Sequence, residues 1–210
     1  MPDWEYKLWN EDNFDVNSVP YVKEAYEARK FAFVSDYVRL VALEQYGGLY
    51  LDTDVEVFKP FDDLLSFHAF AGFEGSKRMP VGTCVIGAGS HSQWVREQLD
   101  SYSARHFILE NGTLDLTANT TFITANMIAR GFIADGKEKD YEDLHVFPVD
   151  YFCPRQTTGE YFRTENTYCD HLGLCSWSEK DVKGWKGQIL RAVGPESRVR
   201  IIKLKRLLFG

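Results

Sequence analysis

The sequence has no apolar run long enough to cross a bilayer and no paired-cysteine motif. No stretch approaches the roughly 18 apolar residues that a spanning helix needs. The four cysteines, Cys84, Cys153, Cys169 and Cys175, form no CxxC pair, which argues against a thiol redox motif or a zinc knuckle. A bridge between Cys169 and Cys175 stays open for an oxidising compartment, but we favour reduced thiols. Residues 1–6 lack the basic and apolar regions of a signal peptide, so we expect a cytoplasmic protein.

Basic residues are also in short supply. The chain has 24 Lys and Arg against 31 Asp and Glu, a net charge of −7. Because phosphate binding depends on Lys and Arg, this balance argues against a protein that coats nucleic acid. Aromatic residues, in contrast, make up 15% of the 210 residues, so the chain can bury a full core. We expect a single domain over residues 1–210.

The apolar pattern alternates between short strands and helices. A period of two predicts strands, and spacings of three and four predict helices. Strands are expected at residues 5–9, 49–51, 55–58, 69–73, 83–87 and 145–148, and helices at residues 21–26, 28–46, 93–102 and 121–130. The apolar face of the second helix comprises Phe31, Val34, Val38, Val41 and Ala42. Residues 159–173 are expected to be irregular, and the alternation of strands with helices predicts the α/β class.

The sharpest feature is GGLYLDTD at residues 47–54, where Asp52 and Asp54 follow a short apolar strand. In open α/β sheets, ligands gather beyond the carboxyl ends of strands. Two carboxylates there suit a hard divalent cation, Mn²⁺ or Mg²⁺, which takes oxygen ligands and bridges phosphates. A bare DxD also occurs in solvated turns, because Asp favours turns. The residues of the preceding helix are therefore needed to distinguish a metal site from a solvated turn.

That helix carries Asp36 and Arg39 three residues apart, and therefore on one face. A surface ion pair contributes little to stability, but this pair lies in the densest apolar part of the helix. Held near a metal site, such a pair can bind sugar hydroxyls, and Arg can meet phosphate oxygens.

Together these segments resemble a known family. AFVSDYVR at residues 32–39, followed by YGGLYLDTDV at residues 46–55, is similar to the DXD sugar transferases of glycosyltransferase family 32. That group includes capsular polysaccharide synthesis enzymes, outer-chain mannosyltransferases and, more distantly, large glucosylating toxins. The likeness is strong at residues 7–10 and 21–65, moderate at 82–94 and looser at 168–177.

The resemblance implies a GT-A fold, a Rossmann-like mixed sheet flanked by helices. It also implies transfer of a sugar from a nucleotide-sugar donor, with retention at the anomeric carbon. Asp36 and Arg39 match the pair that holds the donor sugar, Asp52 the residue facing ribose and sugar, and Asp54 the main ligand of Mn²⁺ or Mg²⁺. The candidate catalytic residues are Asp36, Arg39, Asp52 and Asp54, and the donor-binding set adds Ser35, Tyr50, Ser176 and Trp177.

YCDHLGLCSW at residues 168–177 provides a second site candidate. Family members often carry a His-His pair there, whereas Asp170 stands at the first position here. His171 could complete the metal shell with Asp52 and Asp54 or touch phosphate, and a structural role stays open because lone histidines are often structural. Trp177 could donate its indole N–H to the diphosphate or simply pack in the core. Glu74 could reach a sugar, but we favour a surface carboxylate at a strand end.

The likeness begins after the family's first strand and helix, a unit of on the order of 30 residues. We therefore expect an N-terminally short GT-A domain with weak donor affinity and poor solubility. A dehalogenase-type phosphatase is excluded, because Glu56 stands where its DxD motif needs Thr or Val. An EF-hand also fails, since no Gly follows Glu56 at the required place. A decayed, non-catalytic module that binds carbohydrate or nucleotide-sugar stays open.

The C-terminal tail is positively charged, whereas the chain as a whole is negatively charged. Residues 198–210 hold five basic and no acidic residues, interleaved with apolar ones. Such a tail can lie on an anionic membrane surface, where a lipid-linked acceptor would be met, or form a last element with snorkelling Lys and Arg. The expected partners are a nucleotide-sugar donor and a glycan or lipid-linked acceptor in polysaccharide synthesis, with peripheral contact at the inner face of the membrane left open.

Overall fold

The computed structural model describes residues 4–75, 79–155 and 160–173. The chain divides into one compact unit, Met1–Leu172, and a second, Gly173–Gly210, and the description concerns the first. The single domain over residues 1–210 stays a prediction. The helices are α1 (Pro20–Glu27), α2 (Phe31–Tyr46), α3 (Gln93–Asp100), α4 (Asn119–Ala129) and α5 (Val149–Phe152); the strands are β1 (Gly48–Leu51), β2 (Val55–Val57), β3 (Ala69–Gly72), β4 (Val85–Ala88), β5 (Lys139–Tyr141), β6 (Leu144–Phe147) and β7 (Cys169–His171); a 3₁₀ turn spans Asp62–Leu64.

Five strands form a mixed sheet in the order β1-β4-β3-β6-β5. All neighbours are antiparallel except β3 and β6, which run parallel with Ala69 opposite Leu144. β2 and β7 form a separate antiparallel pair, with Val55 opposite His171. A mixed sheet flanked by helices confirms the predicted α/β class and is consistent with a GT-A-like glycosyltransferase domain.

The sheet separates two apolar clusters, because successive strand residues point to opposite faces. Ala69 and Ala71 of β3 pack in the larger cluster with side chains of α1, α2, α3 and α4. Phe70, between them, packs in the smaller cluster with Phe61 and Phe152. Helices α1 to α4 thus cover one face, while the 3₁₀ turn, α5 and β7 cover the other.

Local signals explain where the helices begin and end. Pro20 occupies the first turn of α1, where its missing N–H costs no hydrogen bond. α2 ends at Gly47, whose φ is +66° and where an added Cβ would lie 2.6 Å from the Ser90 nitrogen. Only glycine fits that close approach, and it places β1 directly after the helix. The Ser92 hydroxyl caps α3 by accepting from the Val95 N–H.

Several sequence-based expectations about the fold were wrong. Residues 5–9 are not a strand, and no described strand pairs with them. Part of the segment expected to be irregular is β7, whose order comes from pairing with β2. The buried residues of α2 are Phe33, Leu40, Leu43 and Arg39, whereas Phe31 is exposed. α2 carries apolar residues on several faces, so the spacing of its apolar residues did not identify a single buried face.

β1 is half-buried rather than buried, because it lies at an edge of the described sheet. The remaining predicted helices and strands are present, with ends shifted by a few residues. β5 and α5 were not expected. Among the described residues, no helix combines the length and apolar character needed to span a bilayer.

A candidate donor-sugar and metal site

Three elements bring the candidate residues together. α2 presents Asp36 and Arg39 beside the carboxyl end of β1, where the chain turns through Asp52 and Asp54 into β2. The turn is closed by a hydrogen bond from the Val55 N–H to the Asp52 carbonyl, at 3.1 Å. Because β2 pairs with β7, His171 lies directly opposite Val55 and therefore beside this turn.

Arg39 is the centre of the polar network. Its side chain is 5% exposed, and each of its three nitrogens is engaged by the protein. Nη2 donates to Asp36 Oδ1 at 2.7 Å, Nε to the Ser35 carbonyl at 3.2 Å, and Nη1 to the Thr83 carbonyl at 2.8 Å. Nη1 also lies 3.3 Å from Asp52 Oδ1. The guanidinium therefore joins α2, the segment that leads into β4 and the DxD turn.

Asp52 is fixed from several sides. The Tyr50 hydroxyl donates to Asp52 Oδ1 at 2.7 Å, and the Asp52 N–H donates to the Cys84 carbonyl at 2.8 Å. The Tyr50 ring also lies under the Arg39 guanidinium, 4.4 Å from ring centre to Cζ, a distance suited to a cation–π contact. These contacts leave Oδ2 of Asp52 turned towards His171.

His171 completes a group of three possible metal ligands. Its Nε2 lies 3.3 Å from Asp54 Oδ1 and 3.9 Å from Asp52 Oδ2, and one ligand atom of each residue lies within 4.8 Å of the others. Burial disfavours the charged imidazole, but hydrogen bonds to Asp54 and to Cys84 outweigh it and raise the pKa of His171 to about 11. The neighbouring acidic groups thus favour a positive charge at this position.

Burial also shifts the neighbouring acids. Desolvation raises the pKa of Asp36 to about 6, although Arg39 opposes that shift. The pKa of Tyr50 is raised above its usual range, mainly by burial, with Arg39 acting in the opposite direction. The site is therefore a low-dielectric environment, in which charge interactions are stronger than in water.

A second group shares His171. Glu74, Cys84, Cys153 and His171 offer one ligand atom each, all within 4.8 Å of one another, and the two sulfurs are 3.3 Å apart. Burial raises the pKa of Glu74 to about 7, against a lowering hydrogen bond from Thr120 at the start of α4. The hydrogen bond between the two thiols lowers the pKa of Cys84, although burial acts in the opposite direction.

The structure brings together most of the residues expected from the sequence. Ser35, Asp36, Arg39, Tyr50, Asp52, Asp54 and His171 lie in one contiguous network. Ser176, Trp177 and the basic tail lie outside the described residues. The expectation that Glu74 is a surface carboxylate was wrong, because Glu74 faces Cys84 and Thr120. Thr83, Cys84 and Cys153 were not expected, and no local spacing links residues so far apart.

Comparison with known proteins gives matches over about a third of the chain. Residues 1–71 match the family described as a glycosyltransferase sugar-binding region containing a DXD motif. Glucan organizing enzyme 1 of Cryptococcus neoformans var. grubii is 38% identical over 82 residues, which is 35% of this chain and 22% of that protein. An inositol phosphoceramide mannosyltransferase of Schizosaccharomyces pombe is 34% identical over 73 residues, 33% of this chain and 20% of that protein.

A mannosyl phosphorylinositol ceramide synthase of Saccharomyces cerevisiae is 33% identical over 93 residues, 42% of this chain and 23% of that protein. Each match spans about a fifth of the relative's length. No solved structure matches the chain significantly. The resemblance stated from the sequence is confirmed over residues 1–71, which match the DXD-containing sugar-binding region of glycosyltransferases.

Proposed function

We propose that this protein is a metal-dependent glycosyltransferase that moves a sugar from a nucleotide-sugar donor to a glycan or lipid-linked acceptor. One observation carries the proposal. The two carboxylates of the DxD turn converge with His171 within 4.8 Å, directly beside the buried pair of Asp36 and Arg39. A site for a divalent cation next to a polar pair suits a ligand that joins a diphosphate to a sugar.

The donor set fits Mn²⁺ or Mg²⁺. Asp52 and Asp54 supply hard oxygen ligands, which Mn²⁺ and Mg²⁺ both prefer. His171 adds an imidazole nitrogen, a ligand that suits first-row transition metals. Asp54 and His171 would hold the ion, with Asp52 turned towards it by Tyr50 and Arg39. When bound, such an ion stabilises the negative charge that develops on a departing nucleoside diphosphate.

The protein's own groups orient the donor. Arg39 has its nitrogens engaged by Ser35, Asp36, Asp52 and Thr83, so we assign it a positioning role rather than a direct phosphate contact. Asp36, whose side chain is 13% exposed, accepts a hydrogen bond from Arg39 and is placed to accept another from a sugar hydroxyl. Preorganised dipoles of this kind favour catalysis because they need not reorganise during the reaction.

The names of the relatives guide the choice of sugar and acceptor. Two of the three are named for mannose and inositol phosphoceramide, and the third for glucan. We therefore propose mannose as the first donor sugar to test and an inositol-containing lipid as the first acceptor. Retention at the anomeric carbon, capsular polysaccharide synthesis, a cytoplasmic location and membrane contact through the basic tail stay predictions.

Release of nucleoside diphosphate from a panel of nucleotide-sugars tests the proposal. With Mn²⁺ present, we expect release from one donor, and we expect Asp54→Asn to lower the rate by at least about 100-fold because it removes a charged ligand. Asp100→Asn, at the exposed end of α3, removes the same charge away from the site and should keep full activity.

The outcomes separate the two functions considered. Binding of a nucleotide-sugar without turnover, in calorimetry, would support the decayed binding module and contradict transfer. Equal activity with and without chelator would contradict the metal. If product forms, NMR of the new anomeric centre tests retention, and an inverted product contradicts it.

A further inference from the structure

Four side chains that are distant in sequence meet behind the DxD turn. Glu74 follows β3, Cys84 precedes β4, Cys153 follows α5, and His171 ends β7. Because β3 pairs with both β4 and β6, and α5 follows β6 directly, the fold delivers all four to one place. We call these residues the thiol cluster.

The chemistry of the thiol cluster differs from that of the DxD turn. Cys84 and Cys153 are 2% and 4% exposed, and their sulfurs lie 3.3 Å apart. A carboxylate oxygen of Glu74 and a ring nitrogen of His171 lie within 4.8 Å of both sulfurs. Polar and ionisable groups gathered in a desolvated place need a partner, and a bound metal is one way of providing it.

We propose that the thiol cluster is a second metal site that takes a thiophilic divalent cation, with Zn²⁺ as the preferred ion. Two sulfurs, one nitrogen and one carboxylate oxygen form the four-ligand set that tetrahedral zinc accepts. Sulfur ligands select against Mn²⁺ and Mg²⁺, which prefer oxygen. The side chain of His171 is 26% exposed, so we expect the metal ion to enter from solvent on this side.

His171 belongs to both groups of ligands, which couples the two sites. A neutral imidazole has one nitrogen lone pair available to a metal, since the other nitrogen carries the proton. The ring therefore serves either the thiol cluster or the pair of Asp52 and Asp54 at one time. Zinc in the thiol cluster leaves the DxD turn with two carboxylates.

Titration of the full reduced chain with Co²⁺ tests the site, because cobalt replaces zinc and reports its ligands by absorption. We expect a thiolate-to-metal charge-transfer band and the intense visible bands of a tetrahedral ion, both saturating at one equivalent and abolished by excess Zn²⁺. Cobalt bound by oxygen at the DxD turn is weakly coloured and has no thiolate band. A thiolate band therefore reports the thiol cluster, whatever the outcome for glycosyl transfer, and Asp100→Asn, outside both groups of ligands, should leave it intact.

Matched variants locate the signal. Cys84→Ser and Cys153→Ser should each weaken the charge-transfer band and lower the affinity for Co²⁺ at least about 10-fold, and Glu74→Gln should lower it about 10-fold. Cys169→Ser is the control, because Cys169 is buried and free but outside the cluster. Circular dichroism verifies that each variant is folded.

Two results would overturn the site. One is a folded wild-type chain that shows no thiolate band with Co²⁺, a result that does not depend on any variant folding. The other is a band that survives in folded Cys84→Ser and Cys153→Ser, or that falls equally in Cys169→Ser.

Discussion

Arg39 donates a hydrogen bond of 2.8 Å to the main-chain carbonyl of Thr83, so a side chain of the second helix holds the segment that leads into β4. The same guanidinium contacts Asp36 and Asp52. The polar site and the packing of α2 on the sheet therefore depend on one residue. This coupling explains why a charged side chain is 5% exposed in the middle of an apolar helix.

Arg39→Lys should destabilise the protein although it keeps the charge. A lysine ammonium carries its three N–H donors on one nitrogen, so it cannot reach the separated acceptors that Nε, Nη1 and Nη2 of Arg39 bind. We expect a loss of about 1–3 kcal/mol in the free energy of unfolding, measured by urea denaturation. Arg96→Lys is the control, because Arg96 is 55% exposed in its pair with Glu44 and exposed pairs contribute less than about 1 kcal/mol. Equal effects of the two substitutions would contradict the role of the fork.

Asp143 should contribute stability that depends on pH. Its carboxylate accepts from the Ser92 hydroxyl and from the N–H groups of Gln93 and Trp94, each at 2.8 Å, and so neutralises the start of α3. Burial alone would raise the pKa of Asp143, but these bonds and the contact with His68 lower it. A carboxylate with a lowered folded pKa stabilises the protein above its unfolded pKa, near 3.9, and this stability is lost as the pH falls through the folded value.

Asp143→Asn should therefore cost about 1–2 kcal/mol at neutral pH. The difference between wild type and variant should shrink as the pH falls below about 4. Urea denaturation at several pH values measures both. Glu110→Gln, which removes an exposed carboxylate, should show neither effect. A difference that grows towards low pH would contradict the assignment.

Local features of the site could be predicted from the sequence. The stop of α2 at Gly47 follows from the backbone that glycine alone adopts there. The adjacency of Asp36 and Arg39 follows from helical spacing, and that of Asp52 and Asp54 from their place after a strand. Each inference uses residues within one element or one turn, where steric rules act directly.

Features that depend on distant pairing could not be predicted in the same way. β7 contains Asp170 and His171 and has no apolar alternation. It is a strand because its backbone pairs with that of β2. Asp170 is fully buried beside Arg155, a partner 15 residues away. The thiol cluster likewise joins Cys84, which precedes β4, to Cys153, which follows α5. Sequence periodicity carries no information on such contacts.

Gly87→Ala should destabilise the centre of the sheet. Gly87 lies directly opposite Phe70 on the neighbouring strand, and an added Cβ would fall 2.1 Å from the Phe70 ring. Because both residues are buried, the ring cannot move freely, and we expect a cost of about 1–3 kcal/mol in urea denaturation. Gly89→Ala is the control, since the nearest atom to its Cβ would be 3.6 Å away. In combination with Phe70→Leu, the cost of Gly87→Ala should fall, because the two positions share one space.

Tyr50→Phe should weaken metal binding more than it weakens the fold. The Tyr50 hydroxyl donates to Asp52 Oδ1, so its loss leaves Arg39 as the remaining side chain that orients this carboxylate. Groups that orient a metal ligand typically change the affinity 10-fold to 100-fold when removed, so we expect at least a roughly 10-fold weaker Mn²⁺ affinity by electron paramagnetic resonance. The free energy of unfolding should fall by only about 1 kcal/mol. Tyr168→Phe, which removes a similar hydroxyl bond to Asp63, should cost similar stability and leave Mn²⁺ affinity unchanged. If both variants bind Mn²⁺ equally well, the orientation of Asp52 does not depend on Tyr50.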